Sequence, residues 1–219
     1  MKFSSDLLKI FKNFSDINSN LLLKPGNVIK TVRVPPTIYA EAEVGEVFED
    51  EFGIYDLKEF LSTLAMFKNP TIEFKDGYLE IVDDDDPTIR TKYYSADPTI
   101  LTKVPELKQL PEPSAVFTIT DVNFKRIQRA SSTLKCPDVV IKGENGQINA
   151  IVCDLTTSTK NSFTVLLESD YQGATFDVHL KQEKLLMLDG DYKCSLIADK
   201  VIKMEHTEKK LSYVVSLDV

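Results

Sequence analysis

The sequence predicts an α+β fold of two similar domains, each built from two β-α-β-β-β units. Three observations carry that prediction: a segment that repeats along the chain, an apolar stripe of helical period inside each repeat, and glycine-containing turns after each stripe. Residues 52–81 and 117–151 share a spacing. Phe52, Ile54 and Asp56 recur as Phe117, Ile119 and Asp121 at one constant offset. Ile72 and Phe74 recur as Val139 and Ile141 slightly later than that offset requires, and Gly77 and Leu79 recur later again, as Gly146 and Ile148. Slips of this kind fall between elements, where insertions are tolerated.

Each element follows from local chemistry. In both repeats a short strand of alternating character leads to Asp56 or Asp121, residues suited to cap a helix N-terminus. Apolar stripes follow, Leu57-Phe60-Leu61-Leu64 in one copy and Val122-Ile127-Ala130-Leu134 in the other, at the spacing that puts them on one helix face. KDGY and GENGQ then read as hairpin turns. The same template fits the two ends of the chain. MKFSSDLLKIFKNF gives a short strand and a helix with Leu7, Leu8, Phe11 and Phe14 on one side, and SNLLLKPGNVIKTVR and TIYAEAEV supply three strands. TFDVHLKQEKLLMLDGDYKCSLI gives a strand, a short helix and a strand, and VIKMEHTEKKLSYVVSLDV closes with two more. The units thus start near residues 1, 52, 115 and 174. They are too long and too few for a solenoid.

A chain of 219 residues with 42% hydrophobic content suffices for two cores. The proline-bearing stretch KVPELKQLPEP disfavours a helix and reads as a stiff connector. The expected division is 1–103, a connector at 104–112, and 113–219. No apolar run approaches the ~20 residues of a membrane span, and the first residues lack a signal-peptide core. Cys136, Cys153 and Cys194 form neither a CxxC pair nor an even set, which fits a reducing cytosol and thiols used as core filler.

Catalysis finds little support. His179 and His206 are the only histidines. His179 sits in a strand-like alternation and His206 in a charged hairpin region, so both read as structural or solvated. GxGxxG, Walker A, GxSxG and HExxH are all missing, and the eight glycines fall mostly in turns. The run Asp83-Asp84-Asp85-Asp86 lacks the spaced glycine and closing glutamate of a calcium loop and reads as a solvated turn. No metal or cofactor is expected, and the chain reads as a non-enzyme.

The stretches MKFSSDLLKIFKNFSDINSNLLLKPGNVIKT, TIYAEAEV, IYDLKEFL, SAV at 114–116 and the C-terminal SYVVSLDV together resemble the sliding clamps of T-even-type bacteriophages. The likeness runs essentially end to end, connector length included. The resemblance implies a DNA clamp fold of the proliferating-cell-nuclear-antigen type, with helices lining the inside of a ring and sheets outside. It implies a DNA polymerase processivity factor that encircles double-stranded DNA. Two domains per chain imply a homotrimer, because clamp rings contain six. Head-to-tail closure would pair the segment near 98–103 with 161–168. The implied partners are the phage DNA polymerase, an ATP-dependent clamp loader that owns the ATP, and late-transcription factors, in the cytoplasm of the infected bacterial host.

That reading gives the charge pattern a use. A formal charge of −8 argues against wrapping by nucleic acid, but a ring needs only a basic lining that contacts backbone without sequence readout. By the resemblance, the DNA-facing candidates are Lys9 and Lys12 in the first helix, Lys125, Arg126, Arg129 and Lys135 in the third, and Lys181 and Lys184 in the fourth. The second helix offers only Lys58 beside Glu59. The partner-peptide pocket would draw on Val104, Leu107 and Leu110 of the connector, with Val214 and Val215 of the last strand. Two other readings remain: a phage structural or assembly oligomer, which leaves the basic helix faces unexplained, and a DNA-processing enzyme, which the residue set disfavours.

Overall fold

The first helix, α1 (Ser5–Ile17), begins where Ser4, in extended backbone, accepts a hydrogen bond from the Leu7 amide at 3.1 Å. That bond satisfies one of the amides a helix start leaves without a partner. Leu7, Ile10, Phe11 and Phe14 are buried along one side of it. The computed structural model describes residues 1–157 and 159–218. The chain divides into two units, Met1–Pro105 and Glu106–Val219, so the division falls inside the proline-bearing segment.

In the first unit, α1 is followed by β1 (Leu21–Leu23), β2 (Gly26–Val32), β3 (Ile38–Phe48) and β4 (Phe52–Ile54). Then come α2 (Leu57–Leu64), β5 (Pro70–Lys75), β6 (Tyr78–Asp83) and β7 (Arg90–Tyr94). β1 pairs antiparallel with β4, β2 with β3, and β5-β6-β7 form a three-stranded sheet. Residues 1–3 form no strand, yet their backbone lies beside β5: the Ile72 amide donates to the Met1 carbonyl at 2.8 Å. Asp56 caps α2 as expected, accepting from the amides of Lys58 and Glu59 at 2.9 and 3.0 Å. α1 packs on α2, and the core is aromatic. Phe11 and Phe60 lie against Phe3, and Phe60 meets Tyr93 edge-on with ring centres 4.9 Å apart. Edge-to-face pairs of this kind add about 0.5–1.5 kcal/mol beyond area burial.

The second unit contains β8 (Ala115–Ile119), α3 (Asp121–Leu134), β9 (Asp138–Glu144), β10 (Gln147–Cys153), β11 (Phe163–Glu168) and β12 (Phe176–Lys181). It ends with β13 (Tyr192–Ile197), β14 (Val201–His206) and β15 (Leu211–Ser216). One sheet runs β11-β10-β9-β12. The other pairs β8 with β13, β13 with β14 and β14 with β15. Asn145 and Gly146 take φ of 52° and 76° in the β9–β10 turn, where only small or amide side chains sit without strain. The repeat is real in three dimensions: α2 precedes β5-β6-β7 as α3 precedes β9-β10-β11.

Three expectations are corrected. α3 is capped by Thr120, whose side chain accepts from the Asn123 amide, and Asp121 is its first helical residue. Val122 is 56% exposed, and Phe124 takes its place in the buried stripe. The fourth helix is a single 3-10 turn, Gln182–Lys184. Its amide at Gln182 is held by the Pro137 carbonyl, and Leu185 leaves helical backbone at φ −88°, ψ 58°. So short a segment cannot repay the cost of helix nucleation. Leu185 and Met187 enter the core instead.

Candidate nucleic-acid interface and strand edges

The basic candidates on α1 stand where the stripe predicts. Lys9 and Lys12 are exposed, opposite Leu7, Phe11 and Phe14. Among the described residues Lys9 pairs only with Asp6, at 4.0 Å and in solvent, a contact that adds little. Lys12 borders a cavity of about 410 Å³ between α1 and α2, with Leu8, Leu61, Ala65 and Lys68. On α2, Lys58 is tied to Asp16 of α1 at 3.1 Å, so that helix offers no net positive charge.

On α3 the four candidates differ. Lys125 is neutralised by Asp121 at 2.8 Å and Asp189 at 3.2 Å. The hydrogen bond to Asp121, then that to Asp189, raises its pKa above the ordinary lysine value. Among the described residues Arg126 meets only the neutral side-chain oxygen of Asn123, at 3.2 Å. Arg129 forms no ion pair among the described residues. Lys135 is the exposed C-cap, in left-handed backbone at φ 52°. Its carbonyl accepts from the Lys160 ammonium at 2.6 Å, a cation where the helix dipole favours one.

Lys181 and Lys184 do not join this set. Lys184 is 6% exposed and its ammonium donates to the Ser216 carbonyl at 3.0 Å and to Asp218 at 2.7 Å. Lys181 is bonded to the buried Asp138 at 2.5 Å, which raises its pKa. Both belong to a structural ion network at the foot of β12, because no helix is there to lift them outward. The lysines that remain accessible, Lys9, Lys12 and Lys135, are compact charges on long stems, a chemistry that suits phosphates and carries no base readout.

The apolar candidates also separate. Leu107 is 42% exposed, and Val104 and Leu110 are half-buried. Val215 is fully buried on the same strand face as Tyr213, and Val214, on the opposite face, is 9% exposed. Val215 is therefore core and not pocket wall. The acidic run is a bonded turn. Asp83 accepts from the Lys68 and Asp85 amides at 2.7 and 3.0 Å, Asp84 pairs with Lys2, and Asp85 with Lys68. Among the described residues no cluster of three metal ligands occurs.

Two equivalent sheets each leave one side open. Among the described residues β7 pairs only with β6, and β11 only with β10. Their far sides are covered, by Met1 beside β5 and by Asp218, whose amide bonds the His179 carbonyl beside β12. The segment near 98–103, expected as the first unit's edge, is instead a 3-10 turn at Pro98–Ile100 followed by buried Leu101. β7 was missed because RTKYY carries no apolar alternation. The signal available was its position, the third strand after a helix, matching β11.

The profile of a family described as DNA polymerase processivity factor matches residues 4–97, and that of the gp45 sliding clamp, C terminal, matches residues 116–219. The sliding clamp of Enterobacteria phage T4 is 32% identical over 231 residues, covering 100% of this chain and 97% of that protein. In structure, the proliferating cellular nuclear antigen of Entamoeba histolytica superposes with a TM-score of 0.73 at 12% identity, covering 97% of this chain and 95% of that one. The same score, identity and coverage hold for the A. fulgidus PCNA bound to the C-terminal region of FEN-1.

Proposed function

The chain belongs to the sliding-clamp family, the processivity factors of phage DNA polymerases, and on that premise we propose how its two units do the work. Three copies close head to tail around duplex DNA, β7 of one copy pairing with β11 of the next. The observation that carries this reading is the pair of open edges on equivalent sheets. An exposed edge invites strand pairing, and a heterologous contact forms a ring when its rotation closes. The charges agree: β7 carries Arg90 and Lys92, and β11 ends in Glu168.

Within the ring, Lys9, Lys12, Lys125 and Lys135 face the DNA. Their contacts are exposed and partly neutralised, so the duplex is held by enclosure and slides. The connector takes the partner's peptide: Leu107 is its exposed anchor, and Val104 and Leu110 are half-buried. That a solved clamp of the same fold is named with the C-terminal region of FEN-1 bound supports a peptide-docking role. The phage DNA polymerase, the ATP-dependent loader and late-transcription factors compete for this site in the cytoplasm of the infected host. The chain itself is non-catalytic. His206 spends its ring on the Asp189 carbonyl and on the amides of Glu208 and Lys209, which leaves it unavailable as a base.

The test is solution mass by light scattering over a dilution series, followed by primer extension on loaded circular DNA. A species of three chains that lengthens extension products supports the reading. A stable dimer refutes it, because pairs of two-unit chains cannot complete six domains.

A further inference from the structure

We propose that Arg126 and Arg129 serve the seam between copies of this chain, where they receive the Glu59–Met66 flank of α2 from a second copy. The inference rests on the head-to-tail reading above and changes the task of two residues first assigned to DNA.

The two flanks of α2 are distinguishable. Lys58 reaches Asp16 of α1, and Leu61 and Ala65 border the cavity shared with Leu8 and Lys12. Residues 58, 61 and 65 therefore face α1. Glu59, Thr63 and Met66 share the other flank, by helical spacing. That flank lies beside β7. Tyr93 of β7 donates its hydroxyl to the Asp56 carbonyl at 3.3 Å and stacks edge-on against Phe60. The Tyr93 hydroxyl has its pKa pushed up to about 12, first by burial and then by the Glu59 and Asp56 carboxylates. Met66 is 75% exposed and Tyr94 69%. The open edge of the first unit thus presents a carboxylate and a protruding thioether.

The open edge of the second unit presents the complement. Between α3 and β11 lies a cavity of about 260 Å³ lined by Arg126, Arg129, Ala130, Thr133, Leu134 and Phe163. Its floor is apolar, and neither arginine pairs with a carboxylate among the described residues. Lys125, on the other flank of the helix, already has two. Matching the buried positions Leu57, Phe60 and Leu64 of α2 to Phe124, Ile127 and Ser131 of α3 puts Glu59 at the place of Arg126 and Met66 at that of Thr133. Equivalent flanks beside equivalent strands therefore carry opposite charge. When the two edges join, the two flanks face each other across the seam. A thioether then fills the recess, where its flexibility suits an irregular wall, and the guanidiniums close on Glu59.

The experiment measures the concentration at which the full chain assembles, by light scattering on a dilution series, with thermal melts to confirm folding. Arg126→Glu/Arg129→Glu and, separately, Glu59→Arg each place like charges at the seam. Each is expected to raise the assembly concentration at least about tenfold. One chain carrying all three changes is expected to return to within about threefold of the native value. If the reversals assemble like the native chain and only shorten retention on DNA, the arginines are lining residues and the proposal is overturned. It is overturned equally if the triple variant assembles no better than the single-side variants. If the native chain stays monomeric throughout, the head-to-tail reading itself falls and takes the seam with it, an outcome distinct from both.

Discussion

Replacing Lys184 by alanine separates a structural lysine from a DNA-facing one. The side chain is 8% exposed, and its ammonium makes three bonds: to the Ser216 carbonyl at 3.0 Å, the Ser216 hydroxyl at 3.3 Å and the Asp218 carboxylate at 2.7 Å. Removing one partner of a fully buried pair costs about 3–5 kcal/mol. Asp218 is 39% exposed, so it regains water and the cost is smaller. The Ser216 carbonyl loses a charged donor, worth about 1.5–3 kcal/mol. Alanine has no side-chain entropy to lose on folding, which offsets part of that. A net loss of about 2–3 kcal/mol follows, or a Tm lower by about 5–10 °C for a chain of this size. Calorimetry on the variant beside Lys12→Ala reads the difference: the Lys12 variant should melt like the native chain. Were Lys184→Ala to keep its Tm while losing retention on DNA as Lys12→Ala does, the buried network would not be holding β12 and β15 together, and the reasoning would fail.

Other positions give independent checks. A Cβ at Gly53 would meet the Ala96 carbonyl and the Leu101 side chain, so Gly53→Ala should destabilise by about 2–4 kcal/mol through forced movement of backbone, read as a lower urea midpoint with an unchanged slope. Ala198 and Asp199 both sit at φ 51° in the β13–β14 turn; Ala198→Gly relieves left-handed strain and should raise stability by about 0.5–1 kcal/mol in the same titration. Asp154 is held down to about 2 by the Thr156 hydroxyl and by Lys160. Its folded pKa is below its unfolded value, so its contribution is complete above about pH 4 and is lost as pH falls toward 2. The Tm difference between the native chain and Asp154→Asn should therefore shrink between pH 5 and pH 3, and a constant difference would sink the assignment.

Much of the fold was legible because its signals are local. The buried faces of α1 and α2 follow the apolar spacing of Leu7-Phe11-Phe14 and Leu57-Phe60-Leu64. The turns at Asp76-Gly77 and Asn145-Gly146 follow from residues that tolerate positive φ. What escaped was set by distant partners. Thr120 and Asp121 are both good caps, and the choice fell to Thr120 because Asp121 is engaged by Lys125 and by the Gly190 amide. The segment QEKLL reads as a helix until Pro137 and Asp218 claim its amide and its lysine. β7 is an edge only because nothing among the described residues pairs with its outer side, and no residue type announces that. The site was legible in class and less so in membership. Basic residues on helix crests were visible from spacing, but their carboxylate partners, Asp16 and Asp189, lie far away in sequence.

Those partners bear on how an acidic chain manages a nucleic acid. A protein that binds DNA by affinity neutralises many phosphates and releases counterions, so its hold falls steeply with salt. Here the basic residues are already half spent. Lys58 is paired across α1 and α2, Lys125 is held by two carboxylates, and Lys184 is buried. On the proposed lining, Lys9, Lys12 and Lys135 per chain are too few for tight binding and offset the repulsion between a duplex and an acidic wall. A family that retains DNA by closing around it gains from that weakness, since every strong phosphate contact would add a barrier to sliding. In the assembly proposed above, strength then resides in the seams. In the proposed ring the seams would hold open strand edges, an apolar recess and arginines that pair with no carboxylate among the described residues.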